Sequence, residues 1–495
     1  MPYGPLLTRQ FGPNPKGSKL TIQEMDDNLL YLSESIASGG GGAAFPFTGS
    51  AGISGSVVIN SQLTLGVGTG NIPSPFGELP TYNVALGFNN LQNNTTGYQN
   101  VALGNVALNY NTTGYQNVAL GSAALSSNTV GYRNIALGTY ALSANTSGQQ
   151  NVALGSSALG SNTTGYRNVA IGGNALTSNS TGYQNIALGY RALELNTSGS
   201  YNVALGYQAL GSNTTGESNV ALGNVALYSN TEGNNNVALG RNALYSNTTG
   251  NTNVALGGYA LNSNTEGYSN IALGTSALRS NTTGNYNIAL GNGALFYNTE
   301  GNYNVALGSS ALGSNTTGEQ NVALGPSALG SNTTGYRNVA IGGNALTSNS
   351  TGYQNVALGY RALEFNTSGS YNVALGYGAL LSNTTGESNI ALGLSALASN
   401  TTGYSNIAIG RSALYSNTTG SFNSGLGHQV QSGNFSGSVM LGAQATATAN
   451  GQFALGSTNY PIGPVSTALS ASSTHALNVN LNGNIYQIML ISGSI

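Results

Sequence analysis

The sequence predicts an all-β protein: a parallel β-solenoid (β-roll) of 17-residue coils. Three observations predict it. A repeat keeps phase through most of the chain, asparagine and glycine hold fixed points in that repeat, and charge is scarce. Of 495 residues only 5% are charged, and the net charge is −2. A typical soluble domain is about 25% charged. Hydrophobic residues still make up 40%, mostly Ala, Leu, Val and Tyr, which is not the composition of a disordered chain.

We number each repeat from the Asn of "NVALG". That Asn recurs from Asn83 to Asn423, 21 copies at a period of 17. Position 4 is Gly in all 21, from Gly87 to Gly427. Position 11 is Asn and position 14 is Gly in all 20 intervening units, from Asn94 and Gly97 to Asn417 and Gly420. Positions 1 and 3 are almost always Val/Ile and Leu/Ile, position 2 is Ala until Gly425, and positions 7 and 8 are nearly always Ala-Leu. No helical period accounts for this. "VAL" and "xAL" are short apolar runs separated by Gly and "NTTG", so each unit reads as strand, turn, strand, turn. A unit this short cannot bury its own apolar face, and stacking copies into parallel coils solves the problem. At about 4.8 Å per coil, 21 coils span roughly 100 Å. Alternation puts Val and Leu on one face and Ala on the other. The expectation is that Val and Leu fill the interior and Ala leaves a flat outer surface. The Asn at positions 0 and 11 are expected to form amide ladders. Asn94, Asn111, Gly97, Gly114, Gly165 and Gly335 are expected to be structural turn residues, the Gly through φ > 0 or the absence of a Cβ.

Ser157–Gly206 nearly recurs as Ser327–Gly376, an offset of 170, or ten repeats. The array has grown by block duplication, which suits a spacer or shaft.

The ends differ from the array. Residues 1–37 form an attachment segment with a short helix: Ile22, Met25, Leu29, Leu32 and Ile36 follow an a/d pattern. A trimeric bundle and a short amphipathic helix packed on another surface both fit. Residues 38–82 are a Gly/Ser-rich linker leading into the solenoid, and residues 83–427 are its shaft. Residues 428–458 contain shorter coils of 15 and 14 residues, and residues 459–495 form a C-terminal β cap. In that cap Asn482-Gly483 sits between two alternating runs, a hairpin signal. A hairpin there would cover the last open strand edge.

The units "NVALG…A" and "VMLGAQATATANGQFALGS" resemble the head repeats of trimeric autotransporter adhesins, over about Asn83 to Ser457. The resemblance implies a left-handed parallel β-roll that packs as a homotrimer. The ends depart from that family: no secretory signal and no membrane-anchoring strands are read. "KGSKLTIQEMDDNLLYL" and "LNVNLNGNIYQIMLI" instead resemble the ends of bacteriophage tail fibres and other virion fibres. That implies a virion-docked N-terminus, bound to a virion or tail baseplate protein, and a distal C-terminus.

Candidate chemistry is sparse. The chain has no Cys, hence no disulfide, thiolate metal site or Cys nucleophile. "GVGTG" at 66–70 lacks the following helix and Lys-Ser/Thr of a phosphate loop, and reads as a turn. Glu232, Glu266 and Glu300 share position 13 two repeats apart, a spacing that overlaps the carboxylate separation of inverting glycosidases. They lie on a turn and read as a solvated edge. His428 and His475 lack ligating neighbours, and no Asp follows Asp27, so a calcium-binding repeat is excluded. Paired Thr at positions 12 and 13 sit in a turn rather than on a flat ice-binding face. No catalytic, cofactor or metal residue is assigned, and no enzymatic activity is expected. Low charge argues against nucleic acid, and no stretch is long and apolar enough for a membrane span.

Tyr recurs at position 15: Tyr98, Tyr115, Tyr132, Tyr166, Tyr183, Tyr268, Tyr336, Tyr353 and Tyr404. The column reads first as mutual ring stacking along an edge. Its alternative is a ligand-facing column that stacks on sugars. The expected function is the structural fibre of a virion, a tail appendage that contributes to attachment to a host surface glycan or protein. The alternatives are a cell-surface or secreted adhesive filament and a polysaccharide-degrading spike.

Overall fold

The computed structural model describes residues 82–459 and the backbone of two further strands, Ala476–Leu481 and Asn484–Met489. All belong to one compact unit, Leu63–Ile495. The expected N-terminal helix, the linker up to residue 81, "GVGTG", His475 and Asn482-Gly483 lie outside the described residues.

One three-residue strand forms in each coil, from β1 (Val84–Leu86) to β21 (Ser424–Leu426), followed by β22 (Val439–Leu441) and β23 (Phe453–Leu455). All 23 lie in one sheet. Each pairs parallel with the next coil one repeat on, as in Val237↔Val254, Ala238↔Ala255 and Leu239↔Leu256. Among the described residues there is no helix. The coil of Asn236 shows why the strand is so short. Gly240 ends it with φ +135°, and an added Cβ would lie 2.7 Å from the carbonyl of Gly257. The backbone at position 4 is therefore stacked too closely for any side chain.

Two expectations are corrected here. The first is the second strand. Ala-Leu at positions 7 and 8 lies in a turn, with left-handed backbone at positions 6 and 8, as at Asn242 (φ 57°) and Leu244 (φ 52°). The segment still ladders: Asn242 N donates to Asn224 O of the preceding coil (3.1 Å), and Leu244 N to Ala260 O of the following one (3.0 Å). A left-handed Leu costs about 1–2 kcal/mol. Leu244 is fully buried, which contributes roughly 1.5–3 kcal/mol, so burial wins and the turn persists.

The second correction turns the sheet inside out. Ala238, Ala243 and Leu244 are at 0% exposure, as are their equivalents coil after coil. The Val/Ile and Leu/Ile of positions 1 and 3 face outward, half-buried or exposed. The interior already holds the Leu of position 8 and two Asn side chains, leaving room only for a methyl group at position 2. Gly425 shows how tight that room is. A Cβ there would lie 2.7 Å from Val430 Cγ2 and 3.0 Å from Leu414 Cγ. Val430 enters the core where the repeat shortens, and loss of the alanine methyl accommodates it.

The shorter coils extend the ladder, Ser424↔Val439 and then Val439↔Phe453. Met440 fills the core there. Separately, β24 (Ala476–Leu481) and β25 (Asn484–Met489) pair antiparallel from Ala476↔Met489 to Leu481↔Asn484.

The buried Asn form two ladders. Asn247 Nδ2 donates to Asn230 Oδ1 one coil back (2.8 Å) and to Gly250 O of its own coil (2.9 Å). Asn236 donates through N and Nδ2 to Asn219 Oδ1 (3.0 and 3.2 Å) and through Nδ2 to the same Gly250 O (2.8 Å). Each amide is satisfied without water, as a buried polar group must be.

Candidate functional site: the tyrosine column

The turn at positions 11–16 is built around the glycine carbonyl of position 14. Gly131 O accepts from both Asn117 Nδ2 (2.9 Å) and Asn128 Nδ2 (3.0 Å). A Cβ on Gly131 would lie 2.4 Å from Asn128 Oδ1 and 2.5 Å from Gly148 O. Gly97, Gly114, Gly165 and Gly335 are equally enclosed. None of them is in a left-handed conformation, so absence of a side chain is the whole requirement. The Thr of position 12 adds a second anchor. Thr112, Thr113 and Gly114 all direct their N–H groups at Thr129 O, at 2.9, 3.1 and 3.2 Å.

This anchored turn projects positions 15 and 16 to solvent. Tyr98, Tyr115 and Tyr132 stack at 4.9 and 4.7 Å. Tyr166 stacks on Tyr183 at 4.8 Å, and Tyr336 on Tyr353 at 4.9 Å. The last two stacks end edge-on against Tyr201 and Tyr371, both at 5.1 Å. Tyr268 meets Tyr286 the same way, and Tyr404 meets Phe422. These edge-on rings occupy position 16, Tyr286 carrying Tyr303 stacked on it at 4.9 Å, and were not among the residues singled out from sequence. Their left-handed backbone, φ 61° at Tyr371, brings position 16 alongside position 15. The signal available was their adjacency to a Tyr-rich position on one turn.

Inside a stack both ring faces are covered, so a ligand meets only edges and hydroxyls. Hydroxyl contacts also act between rings. The Tyr353 hydroxyl titrates above the ordinary tyrosine range because of its hydrogen bond with Tyr371 and then the field of that group; Tyr183 and Tyr268 are raised in the same way by Tyr201 and Tyr286. Arginines at position 16 lean one coil back: Arg133 Nε donates to Gln116 Oε1 (2.9 Å), Arg167 to Gln150 (3.0 Å) and Arg337 to Gln320 (2.9 Å). Each guanidinium lies 5.8–5.9 Å from the ring of the Tyr before it.

Glu232, Glu266 and Glu300 lie exposed on their turns. Among the described residues no group of three or more His, Asp or Glu is placed to hold a metal ion, and no helix is long and apolar enough to cross a membrane. Two open hollows mark the surface. One of about 480 Å³ runs beside Phe296, Tyr297, Gly313 and Gly330. One of about 210 Å³ lies beside Glu319, Gln320, Tyr336 and Arg337. The chain matches no protein-family model, and no curated protein is significantly similar to it.

Proposed function

We propose that this chain is the shaft of a homotrimeric fibre, a virion appendage of the tail-fibre kind that contributes to host-surface attachment. The observation that carries the reading is the outer face of the sheet. Positions 1 and 3 set two apolar rows along it, interrupted by no charged residue from Val84 to Leu426. Ile186, Ile341 and Leu375 are 38–40% exposed in the single chain. Contiguous apolar area of this extent marks an interaction surface, and identical coils supply the same rows to every copy. Near-uniform coils also suit reach and stiffness rather than turnover. On this reading the N-terminal segment docks on the particle, and the C-terminal hairpin closes the open edge.

Light scattering on the purified protein is expected to give the mass of three chains. Replacing Leu222, Leu239 and Leu256 by Glu is expected to release single chains, and a wild-type monomer would refute the assembly. Immunogold labelling is expected to decorate an appendage on virus particles. Labelling confined to a cell surface would transfer the reading to a cellular adhesive filament.

A further inference from the structure

Because rings inside each stack cover one another, a sugar can pack face-on only where a ring face is left open, as at the end of a stack. Tyr336 is such a ring, and its neighbour one coil back at position 15 is Glu319. Glu319 Oε1 accepts from Asn302 Nδ2 (3.0 Å) in the coil before that, which anchors the carboxylate from the far side. Arg337 Nε holds Gln320 Oε1 (2.9 Å) with its guanidinium 5.8 Å from the Tyr336 ring. Between them lies the hollow of about 210 Å³, completed by Thr317 and Thr334.

We propose that this hollow binds one neutral hexopyranose unit of a surface glycan. The inference rests on the attachment reading and names its ligand class and site. A pyranose has an apolar C–H face and a rim of hydroxyls. The C–H face packs on Tyr336, a residue 40% exposed. The hydroxyls donate to the Glu319 carboxylate, a charge-assisted bond, and accept from the Thr hydroxyls and Arg337. A carboxylate on the sugar would meet Glu319 and be repelled.

The block duplication supplies an internal control. Tyr166 heads the twin stack, with Arg167 placed as Arg337 is. Gln149 replaces Glu319, and Tyr166 is half-buried rather than exposed. Among the described residues Glu387 precedes Tyr404 in the same registers, but Ser405 stands there in place of Arg337, so the full Glu-Tyr-Arg set occurs once.

Saturation-transfer NMR on the full chain tests this with the methyl pyranosides of glucose, galactose and mannose, and glucuronic acid as the anionic comparison. At least one neutral glycoside is expected to receive saturation at its C–H protons, and glucuronic acid to bind more weakly. Tyr336→Ala and Glu319→Gln are each expected to lower affinity about tenfold, with unchanged thermal melting, while Tyr166→Ala binds as wild type. Binding of no neutral glycoside, or equal loss in Tyr166→Ala, overturns the site. Attachment of labelled protein to bacterial cells separates the two readings. Attachment that survives Tyr336→Ala removes this site and leaves the attachment function. Sugar binding by a protein that attaches to no cell removes the function and leaves the site.

Discussion

At the scale of single residues, the coil is held by side chains that have no room to change. Leu244 is fully enclosed, so Leu244→Ala leaves a cavity and is expected to cost about 2–5 kcal/mol, measured as a shift in the denaturant midpoint. Gly165→Val places its Cβ against Asn162 Oδ1, Gly182 O and Asn179 Nδ2, within 2.3, 2.4 and 2.8 Å. Hydrogen exchange is expected to accelerate in the coils around residue 165 and not in distant ones, because each coil contacts only its neighbours. Wild-type exchange would mean that the turn is looser than the structure has it. Tyr353 gives a pH prediction. Its folded pKa lies above the unfolded value, so its contribution is complete below the unfolded pKa and is lost as pH rises through the folded one. Ultraviolet titration of tyrosinate is expected to show a subset that ionises late and returns to the ordinary range on unfolding. The glycines were legible in the sequence because invariance at a fixed register has few physical causes. The left-handed leucines were not, because Leu normally avoids that conformation and only burial, invisible in sequence, compels it.

At the scale of the element, the amide ladders do the work of a polar core. Asn230 Nδ2 donates to Asn213 Oδ1 and Gly233 O, at 2.7 and 3.0 Å. Asn230→Asp puts a buried carboxylate against those two acceptors and removes both donors. The charged form is disfavoured there, so the folded pKa of the new carboxyl is raised. The variant is expected to be nearer wild-type stability at low pH and to lose stability as pH rises through the carboxylate range. A melting temperature independent of pH between 4 and 7 would show that the ladder tolerates charge. Recurrence of Asn at two registers made the ladders legible. The facing of the sheet was not: alternation of Val, Ala and Leu defines two faces but not which one is inside. That choice depends on the volume left after Leu244 and the Asn side chains are seated, a three-dimensional sum.

At the scale of the whole array, additivity governs. Deleting one 17-residue unit, for example residues 236–252, joins coils that already match. The product is expected to fold with nearly unchanged melting, while deleting eight residues mispairs every side chain beyond the cut. Circular dichroism melts distinguish the two, and equal behaviour would refute one repeat per coil. The solenoid itself was legible because its period never slips between Asn83 and Asn423. The hollow beside Tyr336 was not, because it depends on where the Glu319 carboxylate is held, and Asn302 in the preceding coil anchors it.

The uniformity of the coils has a kinetic consequence. A strand paired one repeat out of place meets the same Val, Ala, Leu and Asn partners, so a slipped intermediate forfeits little energy in the core. The aromatic and charged residues at positions 9, 15 and 16 are among the few that tell neighbouring coils apart. Nucleation in the middle of the chain would therefore trap mismatched segments. Folding that starts where the period breaks, at the shorter coils around Val430 and Met440, and winds on one coil at a time avoids them.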